Sequence, residues 1–298
     1  MNKMLWFYIL GWLPSTVAVF GNALVVYIIA TRRQLHSLPN VFIVSLAVAD
    51  VAVGAVFFPT DFFCSKTMMA LCNTNIPHLF AILAIYASVW SLCAMTIDRY
   101  IAIVKPLRYT TLMSSCRAAL LVASAWLIPL SLDSVPAVCD RLTGKCDLKN
   151  KKLIIGKMFM LEILPCFFLI MATTHILIIA RRHWRQNNRL DSQLFHNQPG
   201  HRRQGVKESS ATKVIIVVVL IFLACYSVEL YSVAGLLLYS SYPTDEVIKV
   251  INFLIIVNSA ANPIAYALFK RDIRKELMRT FCKKSPSRHQ TTLETTAV

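Results

Sequence analysis

Seven stretches of the chain are apolar over more than twenty residues, at about 5–30, 40–63, 76–102, 117–138, 153–180, 212–239 and 248–269, with polar segments between them. A helix needs about 20 mainly apolar residues to cross a bilayer, so the pattern predicts seven spanning helices. The first stretch is long for a leader, lacks a small-residue cleavage site and is followed almost at once by the second. It is expected to remain as a span. After the seventh, FKRDIRKELMRTFC (269–282) mixes apolar and basic positions at helical spacing and predicts a short amphipathic helix over 270–282. The expected fold is an all-α membrane protein, a seven-helix bundle plus this short amphipathic cytoplasmic helix. It forms one domain over 1–282, with a structureless loop at about 181–211 and a disordered tail at 283–298.

Composition agrees with a lipid-solvated chain: 56% of the residues are hydrophobic and 15% charged, against about 45–50% and about 25% in soluble domains. A net charge of +16 would by itself suit nucleic acid, but the basic residues lie between apolar runs. With the N-terminus outside, segments 31–39, 98–117, 181–213 and 270–298 face the cytoplasm and hold 22 of the 31 Lys and Arg, leaving 9 outside. The positive-inside rule therefore predicts a multi-pass cell-membrane protein with its N-terminus extracellular. The charge then speaks for membrane lipids and acidic partners, and no nucleic-acid partner is expected. Topology alone leaves a receptor, a light-driven pump and a small transporter open.

Motifs at the span ends narrow this. Span three ends in Asp98-Arg99-Tyr100, followed by a Pro-containing loop, and span seven carries NSAANPIAY over 258–266. Gly21-Asn22 lies on span one, SLAVAD ending in Asp50 on span two, Trp126 on span four and Pro165 on span five. With all of these in order, the chain resembles a rhodopsin-like (class A) G-protein-coupled receptor from Asn22 to Cys282. The resemblance implies a receptor that binds a small extracellular ligand and activates a heterotrimeric G protein, with no catalytic residues.

Residue roles follow from the resemblance. Asp50 is a costly carboxylate near mid-membrane. With Ser88, Asn258, Ser259 and Asn262 it would hold an allosteric sodium ion, the one cofactor implied; a purely structural hydrogen-bond cluster is the alternative. Arg99 would be latched by Asp98 and by Glu208, which lies seventeen residues before Cys225. Release of that latch would open a cleft for the G protein. The alternative for Glu208 is a solvated loop charge. Tyr100, Asn262, Pro263 and Tyr266 complete the switch set.

Cys93, Cys116, Cys166 and Cys225 read as reduced packing residues, and Cys282 as a juxtamembrane palmitoylation site. The four outer cysteines admit three pairings. The resemblance favours Cys72 with Cys146, leaving Cys64 with Cys139, although the family's usual span-three position falls at Thr74. The tail offers Ser and Thr for phosphorylation and arrestin. It ends in Thr296-Ala297-Val298, which fits a PDZ groove; an ordinary disordered tail is the alternative.

The ligand pocket departs from well-known branches. The position of the amine-binding aspartate, eighteen residues before Arg99, is Ala81. Span seven has no lysine between Lys249 and Lys270, so an opsin is excluded. The outer half offers Asp61, His78, Glu162 and Glu229, together with Tyr226 and Asn252. Phe222, Tyr226 and Glu229 share one helix face. Two acids facing one cavity point to a cationic ligand, an amine or a short basic peptide. The alternative is neutral acids bonded to polar groups of neighbouring helices.

Span six reads Cys225-Tyr226-Ser227-Val228, where the family has Trp and Pro at the second and fourth positions. The helix should be straighter unless Ser227 bonds back to the preceding turn. The span-five tyrosine falls at Thr173. A non-coupling or constitutively active homologue therefore stands beside the receptor reading. A transporter fits less well, since intramembrane charges are few and no repeat shows.

Overall fold

The computed structural model describes residues 5–66, 76–143, 151–197, 210–239 and 243–281. Among the described residues there is no strand, and seven helices are long and apolar enough to cross a membrane. They are Trp6–Thr31, Leu38–Cys64, Leu79–Val104, Ser115–Ser134, Ile155–Arg182, Lys213–Tyr239 and Asp245–Phe269, here spans one to seven. The all-α expectation holds. The amphipathic helix runs Arg271–Phe281, and Ile273 on its apolar face is fully buried.

One expectation about the loops fails. Residues 181–197 are helical, continuing the helix Leu164–Asn197 past the membrane. RRHWRQNNRLDSQLFHN is too polar for lipid, but Arg, Gln and Leu are good helix formers. No breaker occurs before Pro199-Gly200. Polarity ended the span without ending the helix.

Span three is the centre of the bundle: 61% of its apolar window is buried, against 17% for span four. In lipid, helices associate through packing and interhelical hydrogen bonds rather than through water exclusion, and the polar residues serve that purpose. The Ser45 and Ser91 hydroxyls lie 2.9 Å apart, and Trp126 Nε1 donates to Ser45 Oγ at 3.1 Å, which ties spans two, three and four together. Asn22 Nδ2 donates to the Ser259 carbonyl at 3.1 Å, joining spans one and seven. Beside it, a Cβ on Gly21 would stand 2.8 Å from the Pro263 ring, so only glycine allows this approach.

Two spans contain wide π turns, at Val53–Phe57 and Phe159–Ile163. The second lies directly before Pro165, whose missing N–H leaves the backbone one turn earlier short of a donor. It carries Glu162, and such bulges are frequent at functional sites. At the outer end, the short helix Leu5–Leu10 packs Phe7 and Tyr8 against Phe58 and Phe62.

Candidate functional site

The outer acids fall into two situations. Glu162, on the wide turn of span five, accepts a hydrogen bond from the Tyr86 hydroxyl at 2.7 Å. Glu229 on span six has a buried Oε2 with no partner. The two carboxylates repel each other, and Cys166 and Tyr226 feel the field of both. Tyr226 stacks tilted on Phe222 at 4.2 Å between centroids, and both are buried, so the predicted common face exists. Ala81 is buried and Asn252 half-buried. The side chain of His78 lies outside the described residues.

Asp61 is already paired. It was expected to await the ligand, but both its oxygens accept from Lys249 Nζ, at 2.8 and 2.6 Å. The same ammonium lies 4.9 Å from the Phe7 ring centroid and 5.3 Å from that of Tyr8. A carboxylate and two ring faces satisfy this cation from within the chain, so Asp61 offers no vacant anchor.

At mid-bundle, Asp50 is fully buried and accepts from Ser88 at 2.9 Å and from Asn262 Nδ2 at 2.6 Å. The amide oxygens of Asn258 and Asn262 are buried without partners. A carboxylate, a hydroxyl and two spare carbonyl oxygens form a donor set that suits a hard cation.

At the inner end, Asp98 is fully buried and accepts from Arg99 Nε at 2.7 Å and from its Nη2. The second Asp98 oxygen accepts from the Tyr109 hydroxyl at 2.7 Å. Burial, reinforced by that bond to Asp98, pushes the Tyr109 phenol up to about 12. Lys270 is 5% exposed and donates to Asn40 Oδ1. Burial and the neighbouring Arg99 lower its ammonium to about 8. The Tyr100 hydroxyl bonds His175 Nδ1 at 2.9 Å, so it faces span five and lipid rather than Arg99. Pro263 and Tyr266 are buried, and the Tyr266 hydroxyl has no partner. Glu208 lies outside the described residues, so of the expected latch only its Asp98 half is placed.

Span six is one unbroken helix, Ser210–Tyr239, and Ser227 Oγ donates to the Ala224 carbonyl at 2.7 Å. The back-bond expected in place of the proline is present. The Thr173 hydroxyl is buried without a partner. Cys93, Cys116, Cys166 and Cys225 are free thiols, with Cys116 exposed rather than packed. Cys64 and Cys139 are both in disulfides. Cys72, Cys146 and Cys282 lie outside the described residues.

Four residues that matter here escaped the sequence reading. Tyr86 was overlooked, although a phenol inside an apolar span must find a partner. Lys249 was taken as a boundary mark, when an acid and a base at the same end of two spans were the available signal. Tyr109 and Lys270 sit just past their spans, where polar residues are ordinary, and nothing in the sequence marks the one as a partner of Asp98 or the other as buried.

A family model described as "7 transmembrane receptor (rhodopsin family)" matches residues 21–266. The chain is 29% identical over 315 residues to the octopamine receptor beta-2R of Chilo suppressalis, covering 91% of this chain and 80% of that one. It is 27% identical over 298 residues to the adenosine receptor A2a of Canis lupus familiaris, covering 91% and 71%. To the human histamine H2 receptor it is 26% identical over 304 residues, covering 94% and 81%.

Proposed function

Because the chain belongs to the rhodopsin family of seven-transmembrane receptors, we propose that it activates a heterotrimeric G protein when a small cationic ligand binds between Glu162 and Glu229. The observation that carries this reading is the buried Glu229 Oε2, which has no partner and stands in the field of a second carboxylate. A buried charge is tolerated only when paired, and an ammonium group supplies both the charge and the donors. Octopamine and histamine, which name two of the relatives, are amines. The adenosine relative keeps a neutral ligand open as an outcome.

The chain is a seven-span membrane protein. The proposed placement is the cell membrane with the N-terminus outside, supported by the excess of Lys and Arg on the side of Arg99. Binding would favour a state in which Asp98 and Arg99 part and the inner ends of the spans open to the G protein. Asp50, Ser88, Asn258 and Asn262 would hold a sodium ion in the closed state, as the spare amide oxygens there suggest. The ion would supply positive charge beside Asp50. Arrestin and a PDZ protein remain proposed partners of the tail, and Cys282 a proposed palmitoylation site.

The test is G-protein recruitment in cells against a panel of biogenic amines and short basic peptides, with Glu229→Gln as the variant. Loss of the response at normal surface expression supports the cation anchor. An unchanged response removes it. No response to any ligand and no basal signal would favour a non-coupling homologue, the reading that the proline-free span six keeps alive.

A further inference from the structure

Two cavities open side by side on the outer wall of the bundle, between spans three, four and five. One, of about 300 Å³, is lined by Trp90, Cys93, Leu121 and Pro165 among others. The other, of about 320 Å³, is lined by Tyr100, Met171, Ala172 and His175. Ile97 and Phe168 line both, so the two form one groove. From Trp90 to Tyr100 is ten residues, or about 15 Å along a helix. That matches the hydrocarbon depth of one leaflet.

The groove changes character along its length. Its mid-membrane part is apolar, whereas the end nearest Arg99 carries the hydrogen-bonded pair Tyr100 and His175. On span five the lining positions 164, 168, 171 and 175 form one helical stripe. The same stripe continues seven residues on to Arg182, about 10 Å further out, at headgroup level. Arg182 is exposed and makes no ion pair with another described residue.

We infer that this groove is a site for one anionic glycerophospholipid of the leaflet on the Arg99 side, its acyl chain lying between Trp90 and Phe168 and its headgroup held by Arg182, two turns beyond His175. A zwitterionic lipid matches the apolar length and also carries a phosphate, but its quaternary ammonium offsets that charge, whereas a net negative headgroup is favoured beside a basic residue. The charge at the headgroup end is what selects the occupant. Neither Glu162 nor Glu229 lines this groove, and the site does not depend on the ligand reading.

Full-length receptor in phosphatidylcholine nanodiscs provides the test, because Trp90 lines the groove and reports on its occupant. Phosphatidylserine brominated in mid-chain should quench the fluorescence saturably at low mole fraction. Subtracting a Trp90→Phe sample isolates the contribution of Trp90. Brominated phosphatidylcholine should quench only in proportion to its amount. Ala172→Phe, which fills the lower cavity, should abolish the saturable part. Arg182→Gln should weaken it about fivefold, the worth of one juxtamembrane basic residue. Equal quenching by the two lipids overturns the proposal, as does saturation that Ala172→Phe leaves intact. If Ala172→Phe does not fold, the exposed Arg182 decides alone: no shift in Arg182→Gln overturns the headgroup assignment.

Discussion

At the outer end of the bundle, Asp61 is bonded on both oxygens by Lys249, while Glu229 keeps a buried oxygen with no partner. At the inner end, Asp98 holds Arg99, while Lys270 is buried against the neutral amide of Asn40. Each end thus sets matched pairs beside a buried group with no ion pair among the described residues, an acid outside and a base inside; Lys157–Asp133 is a second outer pair, and Glu276 with Arg32 and Arg279 a second inner set. The Lys249–Asp61 pair fixes two helices to each other, whereas Asp98 and Arg99 are neighbours on one helix. An unmatched buried charge is costly, and it marks where something from outside the chain completes the site. On the proposed reading the outer acid awaits a basic ligand and the inner base an acidic partner surface, in addition to the Asp98 and Asp272 carboxylates that already act on Lys270.

The largest effect tests the outer deficit. Removing one partner of a buried charge pair costs about 2–5 kcal/mol, so Glu229→Gln should lower the potency of a cationic agonist by at least about thirtyfold. Glu162→Gln should cost less, because Tyr86 already satisfies one of its oxygens. Dose–response curves for both variants at matched surface expression check this. Equal losses would mean that the two acids act as one unit and that the distinction between a partnered and an unpartnered acid is empty.

A smaller change is expected at the matched inner pair. Asp98 receives both Arg99 and Tyr109, and a hydrogen bond to a charged group is worth about 1.5–3 kcal/mol. Asp98→Asn should therefore raise ligand-independent G-protein activation about tenfold. Tyr109→Phe removes one donor to the same carboxylate but leaves Arg99 bonded to it, so it should raise that activation less than Asp98→Asn does. Basal nucleotide exchange with purified G protein measures both. If neither variant changes it, Asp98 is not part of the restraint on Arg99.

The fold was almost entirely legible, because spans are written in long apolar runs whose length the bilayer dictates. The exception at 181–197 came from equating a polar stretch with a loop. The site was legible by position, and by partner only where the resemblance supplied one. Glu162, Glu229, Asp50 and Arg99 stood out as charges in apolar surroundings, and the resemblance named Ser88 and Asn262 for Asp50 and Asp98 for Arg99. Tyr86 and Lys249 reach Glu162 and Asp61 from other helices, across contacts that no single-span pattern encodes. Asp61 shows the cost: it is a carboxylate in the outer half of a span, as Glu229 is, but a lysine more than 180 residues away in sequence neutralises it.

That matched outer pair predicts an effect on stability rather than on signalling. Lys249 and Asp61 are 13% and 26% exposed, so the pair is worth about 1 kcal/mol. Asp61→Asn should lower the thermal midpoint of the detergent-solubilised receptor by about 2–4 °C, with agonist potency almost unchanged. A large loss of potency at unchanged stability would instead put Asp61 in the ligand site.

The smallest effect probes the unmatched inner cation through its titration. Burial, aided by Arg99, lowers Lys270 from 10.5 to about 8 in the folded chain. Between those values the unfolded chain binds a proton that the folded chain does not, so stability rises with pH across that window and is lost again as pH falls through 8. Tyr109, raised to about 12, acts in the opposite sense, but only above its ordinary value near 10. The clean interval is therefore pH 8 to 9.5. Across it the thermal midpoint should climb by a few degrees at most, and Lys270→Met should flatten the rise. A parent curve already flat there would mean that Lys270 finds a countercharge, and the inner end would then lack nothing.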